Sequence, residues 1–154
     1  MMRKKTLFTA AGALALTVIV AGTAPASAEE QKTTLEATVP SSYTLTIPKS
    51  QAIEYGRDLT DIGSLSVIGN IRTDEVLRVS VEQSAFRNEE KNHSFSFRLL
   101  SGSEIFQGQS WNGTELETEQ TVPLSVSIED SVWDEAQAGN YTATLTFTAE
   151  IRKQ

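Results

Sequence analysis

His93 is the residue best suited to acid-base chemistry, because it is the only histidine in a chain that has no cysteine. With Glu89 and Glu90 nearby, it could also hold a metal ion through nitrogen and carboxylate oxygens. However, no nucleophile motif such as G-x-S-x-G accompanies it, and charge runs of this kind usually form solvated loops. The sequence therefore predicts no catalytic residue, no metal site and no cofactor, so we expect a protein that is not an enzyme.

Acidic residues offer further candidates for chemistry. Two carboxylate pairs could serve a glycosidase: Asp130 with Asp134, and Glu115 with Glu117. The segments 58–61 and 129–130 could offer oxygen ligands to calcium, although neither matches a calcium-loop pattern. Spacing alone selects no catalytic pair, and the sequence leaves open whether a structural calcium is bound.

Trp111 and Trp133 are the aromatic residues that strand alternation explains least, because both stand beside predicted turns. Asn112-Gly113 is a dipeptide favoured in tight hairpin turns, which predicts that Trp111 lies at a hairpin tip. Trp133 lies in a predicted loop, where its ring either binds a ligand or covers the open end of the core. Because exposed aromatic rings can stack on sugar rings, the candidate ligand-binding residues are Trp111, Asn112 and Trp133.

The beginning of the chain has the pattern of a cleavable signal peptide. Basic residues at positions 3–5 precede an uncharged apolar run, and Ala26 and Ala28 supply the small side chains that signal peptidase accepts. The strongly apolar core is shorter than the roughly 20 residues of a membrane-spanning helix. We therefore predict a signal peptide at 1–28 and a secreted domain at 29–154, extracellular or associated with the cell wall.

The charge and the lack of cysteine limit the partners and the fold. Removal of 1–28 takes three of the 13 basic residues and none of the 20 acidic ones, which leaves a formal net charge of −10. This charge argues against nucleic acid and, after signal cleavage, against an anionic membrane surface, because both require a positive patch. Without disulfides, the fold must be stabilised by packing alone.

Strand-like alternation of apolar and polar residues continues through most of the mature chain. The predicted strands are 35–39, 43–47, 62–71, 76–81, 95–99, 105–106, 122–128 and 141–151. We expect 62–71 and 76–81 to form a strand pair, 84–92 to be an exposed loop with at most one helical turn, and Pro123 to mark an edge or a bulge.

About seven to nine short strands separated by turns are typical of a two-sheet sandwich. The prediction is an all-β, immunoglobulin-like β-sandwich. A lipocalin-type fold would need longer and more regular hairpins.

Trp133 followed by AGNYTATLTFTAEI, 138–151, resembles the C-terminal end of WxL-type and related surface domains of Gram-positive bacteria. The resemblance is confined to this segment, and the final strand has Phe147 and Ala149 where that family has tryptophan and leucine. It implies a sandwich domain held non-covalently on the cell wall through peptidoglycan, often with other secreted proteins.

Two functions are compatible with these patterns. The first is a non-enzymatic binding module of the cell surface or wall, with peptidoglycan or another secreted surface protein as its partner. The alternative is a structural subunit of a pilin-like assembly, in which 29–39 or the last strand is donated to a neighbour and the edge at Pro123 accepts it. The sequence does not indicate the oligomeric state.

Overall fold

A computed structural model describes residues 30–154 of the chain. The predicted signal peptide and its cleavage site after Ala28 lie outside the described residues. Within the described part, Thr38–Gln154 form one compact unit. No helix in this part is long and apolar enough to cross a membrane.

The described residues are folded mainly into β-strands. The strands are β1 (Ser42–Thr46), β2 (Leu59–Asn70), β3 (Glu75–Gln83), β4 (Phe86–Asn88), β5 (His93–Phe95), β6 (Arg98–Ser101), β7 (Glu104–Ile105), β8 (Gly108–Asn112), β9 (Gln120–Ser127) and β10 (Leu145–Lys153). Two short helices, α1 (Gly113–Leu116) and α2 (Asp130–Glu135), follow β8 and β9. The prediction of an all-β fold is confirmed.

The strands form three antiparallel sheets. The largest has the order β1-β2-β9-β6-β7, the second has the order β10-β3-β8, and β4 pairs with β5 in a small hairpin. A bulge between Asp61 and Gly63 interrupts the register of β2 with β9, and Gly63 adopts a φ of 95° there.

The two larger sheets contribute to one hydrophobic core. Its most deeply buried side chains are Leu65 and Val67 of β2, Leu77 and Val79 of β3, Leu99 of β6, Leu116 of α1, Leu124 of β9, and Ile128. Those that belong to strands alternate with exposed or half-buried residues, which is the pattern of a sheet with one buried face.

Three sequence-based predictions about local structure are wrong. The segment 35–39 forms no strand, and Leu35 and Val39 are 90% and 71% exposed. The strands β2 and β3 belong to different sheets, so the connection between them crosses from one sheet to the other. The segment 84–92 contains β4 and the turn to β5 in place of a simple exposed loop. Alternation identifies a strand, but it does not specify its partner.

Pro123 lies in β9, opposite Ser64 of β2. On the other side of β9, β6 pairs only with residues 125–127. Pro123 therefore has a strand neighbour on one side only, as its missing N–H requires.

Candidate functional site

Trp111 and Asn112 do not form an exposed hairpin tip. Trp111 is opposite Leu77 in the pairing of β8 with β3, and its side chain is only 3% exposed in the core. A ring so deeply buried cannot stack on a ligand without disrupting the core. The predicted exposure of Trp111 is therefore wrong.

Asn112 caps α1 where a tight turn was expected. Its Oδ1 accepts a hydrogen bond from the Glu115 N–H at 3.0 Å, and Glu115 Oε2 accepts one from the Asn112 N–H at 2.8 Å. This reciprocal pair is a capping box. A Cβ at Gly113 would lie 2.9 Å from the carbonyl oxygen of Ile71, so glycine allows α1 to begin close to the β2–β3 connection. The Asn-Gly signal was misinterpreted because the same residues also suit a helix start.

Trp133 is half-buried and lies toward the opposite end of the core from Trp111. It belongs to α2, and its Nε1 donates a hydrogen bond to the carbonyl oxygen of Arg57 at 3.1 Å. This bond ties α2 to the segment before β2. The indole packs against the core as expected for a residue that covers an open end.

Trp133 is part of a group of rings from four parts of the chain, which we call the aromatic cluster: Tyr55, His93, Phe95, Trp133 and Tyr141. Trp133 meets Tyr55 edge-on at a centroid distance of 5.4 Å and Phe95 at 5.5 Å. Phe95 in turn lies 4.9 Å from Tyr141, which meets His93 at 5.9 Å. Such geometries are favourable for aromatic pairs.

The aromatic cluster is connected to the core through the β4–β5 hairpin. Phe86 stacks on Phe95 at a centroid distance of 5.3 Å, and it also contacts the buried Phe97 at 5.2 Å. The cluster therefore rests on a packed base, which limits how far its rings can move.

Hydrogen bonds fix the Tyr141 side of the cluster. The Tyr141 hydroxyl donates to the carbonyl oxygen of Gln137 at 3.0 Å and lies 2.9 Å from His93 Nδ1. Because the hydroxyl has one hydrogen, Nδ1 of His93 must be the donor in the second bond. The arrangement assigns His93 a structural contact with Tyr141.

The loop before Tyr141 packs tightly on the hairpin. Asn88 is 1% exposed, and its Oδ1 accepts a hydrogen bond from the Lys91 N–H at 3.1 Å. A Cβ at Gly139 would overlap Asn88 Nδ2, and the φ of Gly139 is 152°. Glycine is therefore required here for the close approach and for the backbone conformation.

Tyr55 is the exposed member of the aromatic cluster, with 76% of its surface accessible. The neighbouring residues Glu54 and Arg57 form an ion pair at 2.9 Å. Both line a shallow depression of about 300 Å³ whose other lining residues are Gln51, Ala52, Leu59, Thr60 and Asp61. Tyr55 itself does not line this depression, but Glu54, the residue before it, does. An exposed ring and several hydrogen-bonding side chains thus belong to the same segment, a combination that suits a polar ligand with an apolar face.

The structure brings together one carboxyl pair that spacing did not select. Asp58 and Asp130 are hydrogen-bonded, and this bond, with the like charge of Asp58, raises the pKa of Asp130. Among residues 30–154, no three histidine, aspartate or glutamate side chains form a group that could hold a metal ion. The glutamates beside His93 therefore do not form such a group with it.

Sequence reasoning missed Tyr55, Phe95 and Tyr141 as members of a site. The alternating pattern assigned Phe95 and Tyr141 to strand faces, and it gave Tyr55 no role beyond leading into Gly56. The only signal for Tyr55 was its place between Glu54 and Arg57 in a polar segment. No family model matches the chain, and the comparisons with curated proteins and with solved structures found no match.

Proposed function

We propose that the mature chain, 29–154, is a secreted, non-enzymatic binding module of the cell surface, and that it binds cell-wall glycan at the aromatic cluster. In this proposal the signal peptide is removed after Ala28, and the two larger sheets form an immunoglobulin-like β-sandwich. The rings that close one end of that sandwich then serve as a ligand-binding surface.

The observation that carries this proposal is the position of Tyr55. Tyr55 is 76% exposed, yet its ring contacts Trp133, whose indole is fixed by the bond to Arg57. An exposed ring is ordinarily free to rotate, and packing against a fixed neighbour reduces the entropy lost on binding. A partly ordered aromatic face suits the flat C–H face of a sugar ring.

The groove beside Tyr55 supports a carbohydrate rather than a purely apolar ligand. Gln51, Glu54 and Arg57 offer amide, carboxylate and guanidinium groups within one depression. Sugars present hydroxyl groups around an apolar face, so they can use both the ring and these polar groups. Peptidoglycan glycan strands have this chemistry.

The C-terminal resemblance supports the same partner. The segment 138–151 resembles the end of WxL-type wall-associated domains, and it contains Tyr141 of the aromatic cluster. The net charge of −10 on the mature chain is compatible with a partner that is recognised by stacking and hydrogen bonding.

Co-sedimentation with purified Gram-positive peptidoglycan sacculi, at low and high salt, tests the proposal. We expect the mature chain to be retained at both salt concentrations, and Tyr55→Ala to weaken retention about tenfold or more, an effect of the size expected for a central binding residue. Ile105→Ala is the matched control, because Ile105 is an exposed apolar residue of β7, at 60% exposure. Absence of retention at both salt concentrations, or equal retention of Tyr55→Ala and the mature chain, would overturn the proposal.

The location of the protein has a separate test. Mass spectrometry of culture supernatant and wall fractions should find a chain that begins at Glu29. A chain that keeps residues 1–28 and stays with the membrane would contradict cleavage and secretion.

A further inference from the structure

The strand β10 has an unpaired edge. It pairs with β3 over nine residues without a break in register, and it is the last strand of its sheet. Among residues 30–154, no strand pairs with its other side. The other terminal strands of the two larger sheets have five residues or fewer. A long, regular edge without proline or a bulge is the kind to which another strand can add.

The backbone groups on this edge can be assigned from β3. The N–H of Val81 donates to Gln107 at 3.2 Å, which lies on the β8 side of β3. The backbone N–H and C=O groups of successive residues point to opposite sides of a strand. Those of Val79, two residues from Val81, therefore also point toward β8 and away from Ala149, the residue of β10 that pairs with Val79. The N–H and C=O groups of Ala149, and of every second residue from it, therefore point to the free edge.

One contact agrees with this assignment. The Tyr43 hydroxyl, from β1, donates to the carbonyl oxygen of Ala149 at 3.1 Å. The carbonyl groups of the free edge are thus accessible to a donor that does not belong to β3.

The apolar face of β10 is also incompletely covered. Its core-facing side chains are only half-buried, whereas those of β3 directly beside them, Leu77 and Val79, are fully buried. The half-buried side chains are Leu145, Phe147, Ala149 and Ile151. A further strand beside part of β10 would bury the side chains next to it more completely.

The same chain contains a segment with the pattern of such a strand. Residues 33–39 have apolar side chains at positions 35, 37 and 39, but they form no strand, and Leu35 is 90% exposed. Pro40 follows and would end the strand. At about 3.4 Å per residue, the five residues 35–39 span roughly 17 Å when extended, which is shorter than the nine-residue strand β10.

We propose that the segment 33–39 of one copy adds as an antiparallel strand to the free edge of β10 in a second copy. The inference is independent of glycan binding at the aromatic cluster. Reciprocal exchange gives a closed dimer, and one-way exchange gives a chain of copies. Both arrangements use the same interaction between strands. The accepting edge in this proposal is that of β10, in place of the edge at Pro123 that the sequence suggested.

Charge and side-chain size select a register. If Glu36 lies opposite Arg152, the opposite charges pair across the strands, Ala37 lies opposite Ile151, and Val39 lies opposite Ala149. In this register residues 35–39 lie opposite 149–153, and 33–34 extend beyond β10. Each of these apolar pairs combines a small side chain with a larger one. The Tyr43 hydroxyl must leave Ala149 for the last of these pairs to form.

Cysteine cross-linking tests this register in a chain that has no cysteine of its own. The register places Thr38 opposite Glu150 in a pair that is not hydrogen-bonded, where Cα atoms are about 4.5 Å apart, a separation that a disulfide can bridge. Thr38→Cys protein mixed with Glu150→Cys protein under mild oxidation should form mixed dimers. A Thr38→Cys, Glu104→Cys mixture is the matched control, because Glu104 lies on the distant short strand β7.

Analytical ultracentrifugation of the uncross-linked mature chain provides the second measurement, at salt high enough to screen its net charge. We expect association that increases with concentration and that is lost in Val39→Asp, whose position is 71% exposed. Tyr55→Ala should associate normally, so failure of glycan binding and failure of strand exchange can be distinguished.

Three results would overturn the inference. These are a monomer at all concentrations, mixed dimers that form equally with the Glu104→Cys partner, and a double variant Thr38→Cys, Glu150→Cys that cross-links only within one copy.

Discussion

The two ends of the core are closed in different ways. At one end, which we call the polar end, hydrogen bonds among Ser41, Arg72, Glu75, Asn112 and Glu115 satisfy the backbone around the start of β3 and α1. At the other end, the aromatic cluster covers the core with rings.

The difference between the ends is what each leaves exposed. The polar end uses its hydrogen-bonding groups internally, and Trp111 beneath it is 3% exposed. The aromatic cluster is anchored by Trp133 but presents Tyr55 to solvent. Closure by rings therefore leaves an apolar ring exposed to solvent, whereas closure by hydrogen bonds does not.

Trp111→Ala should give the largest effect on stability. Removal of a fully buried indole leaves a cavity between β3 and α1, and we expect a loss of about 3–5 kcal/mol in the free energy of unfolding. Urea unfolding followed by circular dichroism measures it. Trp111→Phe fills part of the cavity, so it should lose less of the free energy of unfolding. It provides a measurable variant if Trp111→Ala does not fold.

Trp133→Ala should be less destabilising but should affect binding. The indole is half-buried, so we expect a loss of about 1–2 kcal/mol, together with loss of retention on sacculi because Tyr55 loses its support. The folded fraction must be matched in the binding assay. A loss of stability as large as that of Trp111→Ala would contradict the difference between the two ends.

The positions of the strands could be predicted from the sequence better than their pairing partners or the burial of their side chains. Alternation located β9 and most of β10, because each has one buried face. It could not predict that β2 and β3 belong to different sheets, because pairing depends on contacts that are distant in the sequence. For the same reason, it assigned Trp111 to a tip and Trp133 to a loop.

The candidate site was predicted only in part. Trp133 was identified as a candidate, whereas Tyr55, Phe95 and Tyr141 lie at least 40 positions from one another in the sequence (95 minus 55). Their proximity depends on how α2 and the β4–β5 hairpin pack. No local spacing rule links such positions, so the cluster could be found only from the fold.

Asn112→Ala tests the polar end through its capping box. The substitution removes the acceptor for the Glu115 N–H, and we expect a loss of about 1 kcal/mol, the usual cost of an N-cap change. Asn112→Ser, which can still cap, should recover most of it in urea unfolding. Glycan binding by Asn112→Ala should equal that of the parent chain. Weakened binding would show that Asn112 belongs to the ligand surface after all.

A fall in pH should change the contributions of Glu75 and Asp130, one at each end of the core, to stability in opposite directions. At the polar end, hydrogen bonds from the Ser41 hydroxyl and the Arg72 N–H lower the pKa of Glu75 below 4.5. Its contribution to stability is present above pH 4.5 and is lost as the pH falls through the lowered pKa. Near the aromatic cluster, the hydrogen bond that the protonated Asp130 carboxyl donates to Asp58, together with the negative charge of Asp58, raises the pKa of Asp130 above 3.8. Its contribution is present below pH 3.8 and is lost as the pH rises through the raised pKa.

Titration of the carboxyl groups by NMR tests the directions of both pKa shifts, each in a single variant. Ser41→Ala should move the pKa of Glu75 upward toward 4.5, because the largest cause of its shift is removed. Asp58→Asn should lower the pKa of Asp130, because the like charge is gone even if the amide keeps a hydrogen bond. Asp130 is exposed and Glu75 is only half-buried, so we expect shifts in titration rather than large changes in stability. If neither pKa moves, the hydrogen bonds do not persist in solution, and closure of the polar end would then depend mainly on Asn112 and Glu115.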